Sequence, residues 1–69
     1  NNVAEYDVKA PTIYTSSNGL HYIIPNYDND NTELVLTDQQ YDMLKNAADL
    51  SYRVTYYELS GFVISVEEQ

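Results

Sequence analysis

The sequence predicts an α+β fold in which an antiparallel sheet of four or five strands carries one α-helix on one face. Two observations predict it. Short runs rich in β-branched and aromatic residues are separated by two Gly-containing turn signals. One stretch in the middle of the chain repeats its apolar residues at helical spacing. Because the chain has 69 residues and shows no linker or repeat, we expect residues 1–69 to form one small domain.

The first strand is expected at residues 3–9, where polar and apolar side chains alternate. Its polar face carries Glu5, Asp7 and Lys9. Pro11 interrupts the strand, because proline cannot donate to a sheet ladder.

The next segment, residues 12–25, predicts a hairpin around Asn18-Gly19, since both positions of a two-residue turn favour positive φ. Such a turn pairs Ile13 with Ile24 and Thr15 with Tyr22. The residues expected to point at the core are Ile13, Leu20, Tyr22 and Ile24. Those expected on the opposite face are Tyr14, Ser16, His21 and Ile23.

A short strand is expected at residues 33–36, and a helix begins after it. Thr37 and Gln40 have the spacing of a capping box, and Asp38 suits the positive end of a helix. The helix is expected to end at about Ala48 or Asp49. Its inner stripe comprises Tyr41, Leu44, Ala47 and Ala48, and its outer stripe comprises Asp38, Asp42, Lys45 and Asp49.

The last segment, residues 51–69, predicts a second hairpin around Ser60-Gly61. A three-residue loop with Gly61 in the left-handed conformation pairs Tyr56 with Ile64 and Val54 with Val66. The alternative, a two-residue loop, turns Tyr57 inward. We favour the first register, because it brings together the apolar residues Val54, Tyr56, Phe62, Ile64 and Val66.

Composition restricts the function. The net charge is −8, from eleven acids against Lys9, Lys45 and Arg53. This charge disfavours direct binding to nucleic acid or to an anionic membrane, and it attracts basic protein surfaces. No apolar run approaches the roughly 18 residues of a membrane span. We expect a cytoplasmic protein, in the host cytoplasm if a phage encodes it.

Catalytic and metal-binding patterns are weak. Ser16 and His21 are expected on one face of the first hairpin, but a hairpin tip offers no pocket for a Ser–His–Asp set. The chain has no cysteine and one histidine, so ligands for a transition metal are scarce. We therefore expect no enzyme activity and no cofactor.

The loop at residues 26–32 begins like a calcium site, with Asp28, Asp30 and Thr32 at alternate positions. The pattern then fails, because Glu33 stands where glycine is required and Gln39 stands where glutamate is required. An ordinary polar loop is the better interpretation.

The acids and tyrosines remain as a binding surface. Outward residues of a strand lie about 6.6 Å apart, and residues four apart on a helix advance about 6 Å, which is close to the phosphate spacing of a nucleic-acid strand. Tyrosine is enriched at protein interfaces. The predicted partner-binding residues are Glu5, Asp7, Asp28, Asp30, Asp38, Asp42, Asp49, Tyr14, Tyr27 and Tyr57.

In size, in charge and in the lack of a catalytic set, the chain resembles the DNA-mimic inhibitors made by phages. The resemblance implies a basic, nucleic-acid-binding protein as partner. A second interpretation is a structural or assembly domain of a larger virion or surface protein, which the absence of an initial Met fits equally well. An idle, solvated acidic face is the simplest alternative. A homodimer is a further expectation, because small chains without disulfides often gain stability by association.

Overall fold

The computed structural model describes residues 2–24, 33–46 and 49–69. These residues form six strands and one helix in the order β1 (Val3–Lys9), β2 (Thr12–Thr15), β3 (His21–Ile24), β4 (Leu34–Leu36), α1 (Asp38–Asn46), β5 (Ser51–Tyr57) and β6 (Val63–Glu68). The strands make two antiparallel sheets: sheet A, with the order β1-β5-β6, and sheet B, with the order β2-β3-β4. The α+β class is confirmed. The expectation of one sheet with four or five strands is wrong.

Two sheets form because the chain turns sharply between β1 and β2. Ala10 has a φ of 50°, in the left-handed region, and Pro11 cannot donate a backbone hydrogen bond. The sheets meet at their other edges, where Val35 and Phe62 form an isolated parallel bridge and the Val35 N–H donates to the Gly61 carbonyl at 2.8 Å. The sequence showed the interruption at Pro11 but not the change of sheet that follows it.

Both sheets and the helix contribute to one hydrophobic core. Its buried side chains are Ile23, Leu34, Leu36, Leu44, Tyr52, Val54 and Val63. The helix α1 lies against all three strands of sheet B. In β1, Tyr6 and Val8 pack against the core, while Glu5 and Asp7 on the other face are exposed, which confirms the predicted alternation.

The first hairpin has a three-residue loop rather than the predicted two-residue turn. The Gly19 N–H donates to the Ser16 carbonyl at 3.0 Å, and the Ser16 N–H donates to the Leu20 carbonyl at 2.8 Å. Gly19 has a φ of 88°, as the last residue of such a loop requires. The signal at Asn18-Gly19 therefore marked the hairpin correctly but not its length.

This extra loop residue shifts the register by one and exchanges the two faces of β3, while Ile13 of β2 packs against the core as predicted. Ile13 pairs with Ile23, and Tyr14 pairs with Tyr22, so the predicted pairs of Ile13 with Ile24 and of Thr15 with Tyr22 are wrong. Ile23 is fully buried, whereas Leu20 is exposed and Tyr22 and Ile24 are only half-buried.

The helix begins as the sequence predicts. The Gln40 N–H donates to Thr37 Oγ1 at 3.1 Å, and the Thr37 N–H donates to Gln40 Oε1 at 2.9 Å, which is the reciprocal pair of a capping box. Leu44 is fully buried and Tyr41 half-buried on the inner side. The outer residues Asp38, Asp42 and Lys45 are exposed. The expected inner residues Ala47 and Ala48 lie outside the described residues.

The second hairpin keeps the predicted pair of Val54 with Val66. A β-bulge between Thr55 and Tyr56 then shifts the register, so Tyr56 pairs with Val63 and not with Ile64. The loop has four residues, 58–61, and closes with the Tyr57 N–H donating to the Phe62 carbonyl at 3.0 Å.

Because of the bulge, the residues of this hairpin that point at the core differ from those predicted. Val63 takes the buried position, while Phe62 and Ile64 are exposed. Tyr56 and Val66 are half-buried and pack against the core, as expected. Because a bulge inserts one extra residue into one strand, simple alternation along residues 62–66 could not locate the inward face.

Candidate functional site

His21 joins the first hairpin to the start of the helix. Its Nδ1 lies 2.7 Å from Thr15 Oγ1, and its Nε2 lies 3.0 Å from Asp38 Oδ1. Its ring stacks on Tyr41 with the centroids 4.2 Å apart. The predicted grouping of His21 with Ser16 is wrong, because the register shift places Thr15 opposite His21. His21 was expected on the face opposite the core, which is also wrong, since its ring stacks on the helix and 18% of its side chain is accessible.

A hydroxyl, an imidazole and a carboxylate in a row are the groups of a nucleophilic catalytic set. Neither of the two surface grooves described below includes Thr15, His21 or Asp38. The hydrogen bonds satisfy both ring nitrogens of His21 and attach the first turn of α1 to sheet B. This geometry indicates that His21 anchors the start of the helix to sheet B. The absence of catalysis stays a prediction.

The predicted acids of β1 lie on the outer face of sheet A, where Arg53 of β5 is paired with Asp7. The Arg53 guanidinium donates to both Asp7 carboxylate oxygens, at 2.9 Å and 3.3 Å. This hydrogen bonding holds the pKa of the Asp7 carboxyl below its usual range. Glu5 and Glu67 also interact with Arg53 through their charges. Asp7 is thus already paired within the chain.

The predicted partner-binding residues are distributed over several elements. Glu5 and Asp7 lie on sheet A, while Asp38 and Asp42 lie on α1. Asp49 is exposed in the turn before β5. Asp28, Asp30 and Tyr27, together with the calcium-like spacing, lie outside the described residues.

Two of the predicted tyrosines have different surroundings. Tyr14, on the outer face of sheet B, stacks on Tyr22 with the ring centroids 5.3 Å apart and donates to Glu33 Oε1 at 2.5 Å. This hydrogen bond is the main reason why the pKa of Tyr14 is raised to about 12. Tyr57 ends β5 and is exposed without a side-chain partner in the described contacts, so it is the more available of the two.

The end of sheet A that carries the β5–β6 loop exposes apolar side chains. Leu59 is 87% exposed, Phe62 56% and Val3 54%. Val3 pairs with Tyr57 across β1 and β5, and the backbone of Tyr57 is bonded to that of Phe62. Four apolar side chains therefore lie at this end, and of these the sequence analysis singled out only Tyr57. An apolar residue inside the polar turn "ELSG" was the available signal for Leu59.

A groove of about 330 Å³ lies beside this end. It is lined by Glu33, Leu34, Tyr56, Glu58, Leu59, Ser60 and Gly61. Two acidic residues and several apolar residues thus line the same open space. A second groove, of about 380 Å³, lies between α1 and β6 and is lined by Gln39, Gln40, Met43, Ser65 and Val66.

No family model, curated protein or solved structure matches the chain at a significant level. Within residues 2–24, 33–46 and 49–69, no helix has the length and apolar character needed to cross a membrane. The same residues contain no group of three or more His, Cys, Asp or Glu arranged to hold a metal ion.

Proposed function

We propose that this chain is a small acidic binding protein that occupies the nucleic-acid-binding surface of a basic protein and thereby inhibits it, without chemistry of its own. The observation that carries the proposal is the charge of −8, with eleven acids against three cations. The partner classes that fit are a nuclease, a restriction or CRISPR effector, a nucleoid protein and a polymerase. All of them present Lys and Arg to phosphates.

Side-chain contacts support this proposal, because two of the three cations interact with groups of the chain itself and are less available to repel a basic partner. Arg53 is bonded to Asp7, and Lys45 Nζ lies 5.8 Å from the centre of the Tyr41 ring. On the helix, the Asp38 side chain is 94% exposed, and Asp42 is exposed one turn further on. A basic partner therefore meets carboxylates on both the helix and the outer face of sheet A.

A displacement titration tests the proposal. Representatives of the partner classes, each loaded with labelled duplex, are titrated with the chain at low and at high salt. We expect release of the duplex from at least one of them, and weaker release at high salt, because exposed charges are screened. A partner that holds duplex and chain at once, or a panel from which no duplex is released, contradicts the proposal.

Two variants on the same exposed side of α1 sharpen this test in opposite directions. Asp42→Lys should slow association with the partner, and Lys45→Glu should accelerate it, since rim charges act mainly on the association rate. Equal rates for both variants and the unmodified chain would show that the acidic surface of the helix does not guide binding.

The exposed apolar residues of sheet A favour a second candidate, a structural or assembly domain of a larger virion or surface protein. Apolar side chains that folding leaves in water mark interaction sites in general and do not require a nucleic-acid-binding partner. The reading frame separates the two candidates, because a stand-alone short gene fits an inhibitor and a long frame fits an assembly domain.

A further inference from the structure

We infer that a basic partner docks on the loop end of sheet A, inserting a lysine or arginine side chain into the groove beside Leu59 and covering Phe62 with apolar side chains. This loop-end surface comprises Val3, Tyr57, Leu59 and Phe62 together with the groove walls Glu33, Tyr56 and Glu58. The inference rests on the proposed function and names its contact site.

The apolar part of the loop-end surface is held together by main-chain bonds. β1 pairs with β5 up to Val3 and Tyr57, and the Glu58 N–H donates to the Asn2 carbonyl at 2.9 Å beyond that pair. The Gly61 N–H donates to the Tyr57 carbonyl at 2.8 Å and closes the loop. The exposed side chains are therefore carried by ordered backbone, so little entropy is lost when a partner covers them.

The groove has the chemistry of a site for a long cationic side chain. Lys and Arg combine an apolar stem with a charged head. Leu59 and Tyr56 line the groove and suit the apolar stem, and the acidic residues Glu33 and Glu58 line it and suit the charged head. Tyr14 donates to one oxygen of Glu33, which orients that carboxylate.

The chain's own cations lie elsewhere. Lys9 pairs with Ser51 at the opposite end of β1, which is about 20 Å from Val3 at strand spacing, and Arg53 lies in the middle of β5. Neither Lys9, Lys45 nor Arg53 lines the groove. The cations of sheet A thus lie away from the loop end, whose nearby charged residues are acids, and the loop end complements a positive partner.

Charge also argues against a second copy of this chain as the occupant. Two loop ends placed face to face would bring Glu33 and Glu58 of one copy against the same residues of the other. Each chain carries −8, so the repulsion opposes association at low salt. The apolar surface is therefore assigned to a partner of opposite charge.

The test is a titration of ¹⁵N-labelled chain with a short synthetic peptide of alternating arginine and leucine, followed by amide chemical shifts. We expect the largest shifts at residues 57–62 and at Glu33. A peptide of alternating arginine and serine, and one of serine and leucine, should each bind more weakly, because each lacks one half of the recognition. Leu59→Ser should weaken binding of the arginine–leucine peptide about tenfold.

Two further variants control the titration. Glu58→Gln keeps the shape of the side chain and should weaken only the arginine-containing peptides. Met43→Ser removes an exposed apolar residue on α1, in the second groove, and should leave the affinity unchanged.

Three outcomes would overturn the inference. Shifts concentrated on α1 around Asp38 and Asp42, or spread over all acidic residues, would move the contact away from the loop end and leave the proposed function intact. Broadening at residues 57–62 that grows with protein concentration alone would assign the surface to a second copy. No shift with any arginine-containing peptide would remove the site, while the duplex displacement titration decides the proposed function separately.

Discussion

The two hairpins of this protein both have a glycine at the end of the loop, and they expose different surfaces. Each loop ends in a glycine with positive φ, 88° at Gly19 and 76° at Gly61. The β2–β3 loop is polar and bonded within itself, since the Ser16 hydroxyl donates to Asn18 Oδ1. The β5–β6 loop instead exposes Leu59 almost completely. The first loop is explained by folding alone, whereas the second leaves apolar surface in water that folding does not use.

The strands of the two hairpins also differ in whether their side chains contact the rest of the fold or the solvent. The β2–β3 hairpin supports the helix through His21, whose bonds to Thr15 and Asp38 are internal to the fold. The β5–β6 hairpin meets sheet B through the bridge of Val35 with Phe62 and turns the Phe62 side chain mostly to solvent. The two loops therefore share a final glycine of positive φ and differ in their length and in the side chains that they expose.

The largest expected effect tests the register of the first hairpin. Ile23→Ala removes a fully buried side chain and should cost about 2–5 kcal/mol in the free energy of unfolding, enough to unfold much of so small a domain. Ile24→Ala, on the outer and half-buried side, should cost clearly less. Urea unfolding of both variants measures the difference. A larger loss for Ile24→Ala would restore the two-residue turn.

That register marks the limit of what could be predicted from the sequence. The alternation of β1 and the reciprocal cap of Thr37 with Gln40 are local features, and both were predicted correctly. Asn18-Gly19 is compatible with a two-residue and a three-residue loop, and the difference of one residue exchanges the two faces of β3. Only the requirement that Ile23 pack against the shared core selects between them, and that requirement is not local.

The candidate site was predicted in part for a similar reason. Charge and tyrosine content pointed to a binding surface and to Tyr57. Phe62 was assigned to the core, because the bulge beside Tyr56 is not visible in the alternation. Glu33 and Glu58 are far apart in the sequence, and they meet at one groove only because β4 lies beside the β5–β6 loop.

The next largest effect on stability is expected at the two glycines with positive φ that end the loops. Gly19→Val and Gly61→Val should each destabilise the protein by about 1–2 kcal/mol, because a β-branched residue resists positive φ. The matched controls Gly19→Asn and Gly61→Asn should cost less, since asparagine adopts the left-handed conformation more readily. Thermal unfolding of the four variants is the measurement. Equal melting temperatures for the valine and asparagine variants would show that φ is not what selects glycine here.

Removing the hydroxyl from Tyr6 of β1 and from Tyr14 of β2 should have smaller effects on stability, and the two effects should have opposite signs. The Tyr6 hydroxyl is buried with no hydrogen-bond partner among the described residues, and its ring meets Tyr56 edge to face. Tyr6→Phe removes the unsatisfied group and should stabilise the protein by about 1 kcal/mol. Tyr14→Phe loses the bond to Glu33 and should lower the melting temperature. A destabilised Tyr6→Phe variant would show that this hydroxyl has a partner after all.

Alkaline pH provides an independent check on Tyr6. Burial is the main cause of the raised pKa of its hydroxyl, so the folded protein holds this proton after the unfolded chain has released it. The stability that the protonated hydroxyl contributes should therefore be fully present below about pH 10, and the free energy of unfolding should fall as the pH rises further. The fall should be less steep in Tyr6→Phe, and an unchanged slope would exclude Tyr6 as its source.

The smallest expected effect is the one that most sharpens the comparison of the loops. Leu59→Ser should change the free energy of unfolding by less than about 0.5 kcal/mol, because the side chain is 87% exposed and its removal leaves no cavity. Leu20→Ser is the matched change beside the polar loop, and it should cost more, since Leu20 is less exposed than Leu59. Chemical unfolding at equal salt compares the two variants.

If Leu59→Ser destabilises the fold as much as Leu20→Ser, then Leu59 packs against the protein itself and the loop end is not a free surface. If stability is unchanged while affinity for the arginine–leucine peptide falls, folding and binding at this loop are carried by different atoms: the backbone around Gly61 closes the hairpin, and the leucine it displays is available to the partner.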